Sequence, residues 1–310
     1  MLDSLVFGVG GTAGLAYIGC LRALEECDEL GNISTIVGCS AGSIIGCLII
    51  LGYNSSEIQN IIEQIEFKAL FKIELDNIMN IDTDLGLDTG NKLLKLITLF
   101  IRFKTGSEST TFAELYSYNP IHFCVGAVCL NTNTLEFFSH KRTPHMPVSL
   151  ALRMSSSIPI IFTPVKWNGK MYVDGGMLGR YPLQVKCLEH TQCGMGFCIS
   201  QSNETLLSTD TSNAFIQYIT NILLGMYESS QQFEKPHPNI TTVHIVPKIN
   251  GLNFDISSEQ KHTIIEVGYT KTREKIIELR LHQYNRIISA QTRIASCIQK
   301  KKILGPIQKY

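Results

Sequence analysis

Gly38-Cys39-Ser40-Ala41-Gly42 sets a serine between two glycines, with a small residue on either side. A serine hydroxyl becomes a nucleophile when a neighbouring base takes its proton, and small neighbours permit the sharp turn that exposes it. Five residues of this pattern can arise by chance. Their setting adds weight. Thr35 to Val37 reads as a buried strand and Ala41 to Leu51 as a helix apolar on all sides, so Ser40 falls at a strand-to-helix turn. The helix directs its positive end at any negative charge that develops there. The competing reading is a structural serine in a tight turn.

Two further groups could serve such a serine. Gly8-Val9-Gly10-Gly11-Thr12-Ala13-Gly14 lies between a strand ending at Gly8 and a helix predicted over Thr12 to Glu26. Backbone N–H groups at a helix start suit an oxyanion or a phosphate. The same residues fit the dinucleotide fingerprint G-x-G-x-x-A, which expects an acid at the end of the second strand to hold a ribose. Here the nearest acids, Glu25, Glu26, Asp28 and Glu29, fall on or just after the helix, and the second strand ends in Gly38-Cys39-Ser40. The oxyanion reading fits better. Asp174-Gly175-Gly176 ends a strand over Lys170 to Val173 and offers a carboxylate with room beside it. An aspartate acting alone as base must be partly desolvated, because a free carboxylate with a pKa of about 3.9 is a poor base for a hydroxyl. A histidine base would require the order serine, acid, histidine, with several strands before the serine. Only two strands precede Ser40, and His190, His237 and His244 stand in no distinctive loop.

The elements that must position these groups alternate between strand and helix. Ser56-Glu57-Ile58-Gln59 has the form of a capping box opening an amphipathic helix, Asp76 to Asp88 reads as loop, and Lys92 to Phe103 as a second amphipathic helix. Ile121 to Cys129 and Leu135 to Phe138 form a predicted hairpin. Pro159 and Pro164 bracket a non-helical stretch, Met195 to Ile199 and Thr242 to Val246 are apolar strands, and a helix is expected over Thr211 to Ser230. Glu259 to Lys302 reads as one long helical region. The pattern predicts an α/β fold with a mostly parallel sheet covered on both faces. A main domain over residues 1–250 carrying a helical extension over 251–310 is the expected organisation.

Composition narrows the partners. Lys plus Arg equals Asp plus Glu at 27 each in 310 residues, so no net field draws the chain to nucleic acid. The start, Met1-Leu2-Asp3-Ser4, lacks the basic and long apolar segments of a secretory signal, and no apolar run reaches the roughly 20 residues of a membrane span. Both point to a cytoplasmic protein, at most peripheral to membranes. The ten cysteines show no C-x-x-C spacing and read as reduced thiols. Lys92 to Lys104 interleaves apolar and basic residues and could lie on lipid, although a cap packed on the core explains it better; Lys300 to Lys302 and Lys309 read as a solvated tail.

Taken together these residues resemble the patatin-like phospholipases over roughly the first 200 positions. Gly10-Gly11-Thr12-Ala13-Gly14 is similar to the family's oxyanion loop, Gly38 to Gly42 to its nucleophile elbow, and Asp174-Gly175-Gly176 to its dyad aspartate. Ala151 to Pro159, Gly86-Leu87 with Gly90, and Thr111 to Leu115 agree as well. The resemblance implies a three-layer α/β/α fold, a Ser40–Asp174 dyad without histidine, metal or cofactor, and oxyanion donors at Gly10, Gly11 and Thr12. Motif glycines would be Gly14, Gly38, Gly42, Gly175 and Gly176. The implied reaction is hydrolysis of acyl esters in phospholipids, lysophospholipids or related lipids, with transient membrane contact; a transacylase, or a weak or silent lipid-binding protein on the same fold, are the alternatives. One position departs: the family usually carries Arg or Lys where this chain has Ala13.

Overall fold

The computed structural model describes residues 1–71, 80–179, 181–200 and 235–303, with isolated positions at 218, 221, 222 and 225. Among these residues the main sheet has eight strands. β1 (Ser4–Phe7), β2 (Thr35–Cys39), β4 (His122–Cys129), β9 (Gly194–Ile199) and β10 (Ile240–Ile245) run parallel in the order β10-β9-β1-β2-β4. β8 (Lys170–Asp174) continues the sheet antiparallel to β4, followed by β7 (Val165–Trp167), while β5 (Thr134–Phe138) also pairs β4 antiparallel. A small second sheet joins β3 (Gly86–Asp88) to β6 (Ile160–Phe162). The sheet is thus mostly parallel, as the alternating pattern implies.

Parallel strands buried on both faces need near-continuous apolar runs, and β1, Ser-Leu-Val-Phe, is buried at every position. Leu5, Phe7 and Ile36 face the main core under α1 (Ala16–Glu26) and α2 (Ala41–Ile50), where Phe7 stacks on Phe197 at 5.0 Å between ring centroids. Val6, Val37 and Cys124 face the other side, covered among the described residues by Tyr181, Leu183 and Leu188. The helix expected over Thr211 to Ser230 lies almost wholly outside the described residues. The long C-terminal helix, Ser258–Ile303, packs on α1, burying Ile264, Ile265 and Ile276.

Local details correct several expectations. The capping box belongs to Asn54 and Glu57: the Asn54 side chain accepts the Glu57 N–H and the Glu57 carboxylate accepts the Asn54 N–H, so the helix (α3, Ser55–Glu63) starts before Ser56. The stretch expected as loop before Asp88 contains a helical turn, Ile81–Asp84, and β3, which only its pairing with distant β6 defines. The helix expected from Thr12 opens as a tighter 3₁₀ turn, Gly11–Leu15. The helix Asn91–Thr105 buries Ile97, Phe100 and Ile101 as a cap on the core, yet leaves Phe103 81% exposed. Among the described residues no helix is long and apolar enough to cross a membrane, and no disulfide joins any of the nine described cysteines.

Candidate active site

Sheet register brings Ser40 and Asp174 together across 134 positions of sequence. Parallel pairing sets Cys39, the last residue of β2, beside Gly126 of β4; antiparallel pairing sets Asp174, the last residue of β8, beside Ala127. The ends of β2 and β8 therefore meet at neighbouring residues of one central strand. The glycine loop after β1 joins them where the strand order changes direction, the usual place for a ligand in an open α/β sheet.

Ser40 has φ 52° and ψ −130°, a backbone conformation costing of order 1–3 kcal/mol for a residue with a side chain. Its surroundings enforce that turn. The Ser40 N–H donates to Ser155 Oγ at 2.8 Å, Ser155 Oγ donates to the Gly126 carbonyl at 2.5 Å, and the Ser40 carbonyl accepts from Ser43 Oγ at 2.6 Å. Gly42 lies so close to β1 that a Cβ there would come within 2.3 Å of the Gly8 carbonyl oxygen, and one on Gly38 within 2.5 Å of the Gly42 carbonyl oxygen. The two glycines of the motif are thus required by close approach.

Ser40 Oγ donates to Asp174 Oδ2 at 2.6 Å, and both residues are buried. The other carboxylate oxygen, Oδ1, accepts the Gly176 N–H at 2.8 Å, and the Asp174 N–H donates to the Ser157 carbonyl at 2.9 Å. Burial lifts the Asp174 carboxyl from 3.8 to about 6, against the opposing pull of the hydrogen bonds from Ser40 and Gly176. This is the desolvated carboxylate that a lone aspartate base requires. His190 and His244 are exposed, and the His237 ring accepts the Asn239 N–H at 3.2 Å; none of the three bonds to Ser40.

The remaining expected site residues divide. Gly175 adjoins Cys39 and Gly126, and Gly14 packs against the Ala41 methyl. Among the described residues the Gly10 and Gly11 N–H groups meet no acceptor. Thr12 does not fit its expected part as an oxyanion donor, because its N–H already donates to the Gly251 carbonyl at 2.8 Å. Ala13 is buried in the main core.

Ser155, Ser156, Ser157 and Arg153 were not assigned chemistry from the sequence. Ser155 holds the backbone of Ser40 and Ser157 that of Asp174, and Arg153 steadies the run from below: its guanidinium donates to Ser157 Oγ at 2.5 Å and to the carbonyls of Thr89 and Thr163 at 2.8 and 3.1 Å. Burial lowers the Arg153 pKa to about 10, partly offset by Asp88, so the group stays charged at neutral pH. Arg153 and Ser155 in the last turn of the helix Val148–Ser155, with Ser156 and Ser157 just after it, were the available signal: most buried polar groups bond to something, as Arg153, Ser155 and Ser157 do here.

A cavity of about 140 Å³ opens beside Ser40. Ile44 and Leu48 of α2, Leu96 and Phe100 of helix Asn91–Thr105, and Phe254 line it, and its surface is almost entirely apolar. An alkyl chain would fit there beside Ser40.

A serine on a strand-to-helix turn, bonded to a buried aspartate, has the geometry of a serine-hydrolase site on an α/β fold. Residues 5–185 match the family model described as patatin-like phospholipase, and the chain belongs to that family. It is 30% identical over 289 residues to an uncharacterized protein of Acanthamoeba polyphaga mimivirus, covering 91% of this chain and 96% of the relative. It is 28% identical to a probable lipid hydrolase of Invertebrate iridescent virus 6, covering 86% and 87% of the two chains. Among solved structures, VipD from Legionella pneumophila superposes with a TM-score of 0.54 at 15% identity, covering 88% of this chain and 66% of VipD, a likeness of fold alone.

Proposed function

We propose that the protein is a lipid acyl-ester hydrolase in which Ser40 is the nucleophile and Asp174 the only base. The observation that carries this reading is the 2.6 Å bond from Ser40 Oγ to a buried carboxylate beside an apolar cavity. Asp174 takes the Ser40 proton as Oγ attacks the ester carbonyl carbon; the negative charge moves to the carbonyl oxygen, where the Gly10 and Gly11 N–H groups stabilise it. Collapse expels the alcohol, which recovers the proton from Asp174 and leaves an acyl-Ser40 ester. Water, deprotonated by Asp174, then releases the fatty acid and regenerates both groups. The acyl chain occupies the cavity, and the exposed Phe103 on the outer face of its helical wall suits transient contact with a lipid surface.

The test is a panel of phospholipids, lysophospholipids and p-nitrophenyl esters, with fluorophosphonate labelling of wild type, Ser40→Ala and Asp174→Asn. Fatty-acid release and labelling that both disappear in Ser40→Ala are expected. A wild-type protein inert toward every ester and the probe refutes the reading. Release of new esters when an alcohol is added would instead identify acyl transfer.

A further inference from the structure

The loop between β1 and α1 contains Gly8, Gly10, Gly11 and Gly14, so by itself it has more conformational freedom than a preorganised donor site tolerates. At its base Tyr17 Oη donates to the carbonyls of Gly8 and Val9, at 2.9 and 3.1 Å. At its other end the partner comes from far along the chain. Thr12 Oγ1 lies 3.0 Å from the Gly251 carbonyl oxygen and 2.9 Å from that of Asn253, and the Thr12 N–H also donates to Gly251. The backbones nearly touch: Gly11 has φ 51°, and a Cβ on it would come within 2.0 Å of the Gly251 carbonyl oxygen, while one on Gly251 would lie 2.5 Å from the Gly10 carbonyl oxygen.

The segment that reaches across, residues 249–254, is itself well anchored. Ile249 is buried, Asn250 accepts the Leu252 N–H on its side chain and the Asn253 N–H on its carbonyl, and the Phe254 ring sits 5.0 Å from Phe71 and 6.4 Å from Phe162. It lies beyond residues 5–185, which match the family model. It also passes beside Ala13, whose methyl would lie 3.8 Å from a Cβ on Gly251.

We infer that Thr12 and the strap 249–254 are positioning elements for the oxyanion loop: Thr12 gives its hydrogen bonds to the strap and so holds Gly10 and Gly11 in one conformation beside Ser40. Thr12 is then not a donor to substrate. The inference rests on the hydrolase reading for its kinetic consequences but not for its structural ones.

The experiment compares Thr12→Val, Thr12→Ser and Gly251→Ala with wild type by kcat and KM on p-nitrophenyl hexanoate and by amide hydrogen exchange of peptides covering residues 7–15 and 36–48. Thr12→Val keeps the shape and removes the hydroxyl; kcat falls roughly tenfold with KM within about twofold, and the 7–15 peptide exchanges at least about tenfold faster while 36–48 is unchanged. Thr12→Ser, which keeps the hydroxyl, recovers most of the loss. Gly251→Ala forces the strap and the loop apart and lowers kcat by about 10²-fold, the effect of a displacement on the ångström scale. Unchanged exchange in Thr12→Val overturns the inference, as does faster exchange with kcat intact, a loss confined to KM, or no recovery in Thr12→Ser. If the wild type hydrolyses no ester, the hydrolase reading falls by itself, and the exchange data still decide whether Thr12 and the strap order the loop.

Discussion

Asp174 ties activity to pH in a way the geometry specifies. The proposed reaction needs the carboxylate, and burial has moved its pKa from 3.8 to about 6. The pH profile of kcat/KM should therefore rise through pH 6 to a plateau near 7.5. At pH 5 about one site in eleven carries the charge, so the rate is about tenfold below the plateau, whereas a carboxyl at its ordinary pKa would still be about 94% ionised there. The same displacement affects stability with the opposite preference. Because the folded state holds this proton more tightly than the unfolded chain, the favourable contribution is complete below pH 3.8 and is lost as pH rises through 6. The gap corresponds to about 3 kcal/mol at neutral pH. Asp174→Asn, neutral at every pH, should abolish turnover, raise stability at pH 7.5 by up to about 3 kcal/mol, and lose that gain toward pH 4. Urea unfolding of both proteins at pH 4, 6 and 7.5, beside initial rates on a soluble ester, measures both effects. A rate profile flat from pH 5 to 8, or an Asp174→Asn variant less stable than wild type at pH 7.5, refutes a desolvated lone base.

Further outcomes follow from the contacts around the dyad and from the cavity. Ser155→Ala removes the acceptor that holds the Ser40 N–H and should lower both kcat and stability, the latter by about 1–3 kcal/mol, while Ser156→Ala removes a buried hydroxyl with no partner among the described residues and should leave the melting temperature unchanged or higher; calorimetry on the pair separates them. Arg153→Met leaves Ser157 Oγ and the carbonyls of Thr89 and Thr163 without their donor and should destabilise by about 3 kcal/mol in denaturant titration, a cost that near-neutral unfolding data would contradict. A cavity of about 140 Å³ is close to the roughly 150 Å³ that accommodates benzene, so six-carbon acyl esters should turn over faster than sixteen-carbon ones in solution. Leu48→Ala, which opens that cavity toward the small void bounded by Cys47, Leu51 and Leu152, should move the preference to longer chains.

Ser40 was legible because its chemistry, its flanking glycines and its place between a buried strand and a buried helix are all local. Asp174 was legible in part: the glycines after it mark a strand end, but only the β4 register, parallel to β2 and antiparallel to β8, explains why that end reaches Ser40. Thr12 shows the same limit in reverse. Its neighbours announce an oxyanion loop, and nothing near it in sequence indicates that residues some 240 positions later, Gly251 and Asn253, take its hydrogen bonds. β3 escaped notice because three residues with no period of their own become a strand only by pairing with β6. The misplaced capping box was a local error of choice, since Asn54 and Ser56 are both good caps and only the helix geometry decides between them.

These failures and successes converge on one property of the site. Ser40 holds a strained backbone, Asp174 a charge taken out of water, and Ser156 a hydroxyl with no partner among the described residues, three features that each oppose folding. They persist because Ser155, Ser157, Arg153 and the pairing of β2, β4 and β8 fix the positions more firmly than the local cost can undo. A substitution that relieves one of the three should therefore raise stability while lowering or sparing activity, and a substitution in their supports should lower both. Plotting melting temperature against kcat for single variants around Ser40 should separate the two groups into different quadrants. If stabilities and rates instead fell together at all these positions, the site would be an ordinary part of the core, with Ser40 and Asp174 bonded for packing and not for chemistry.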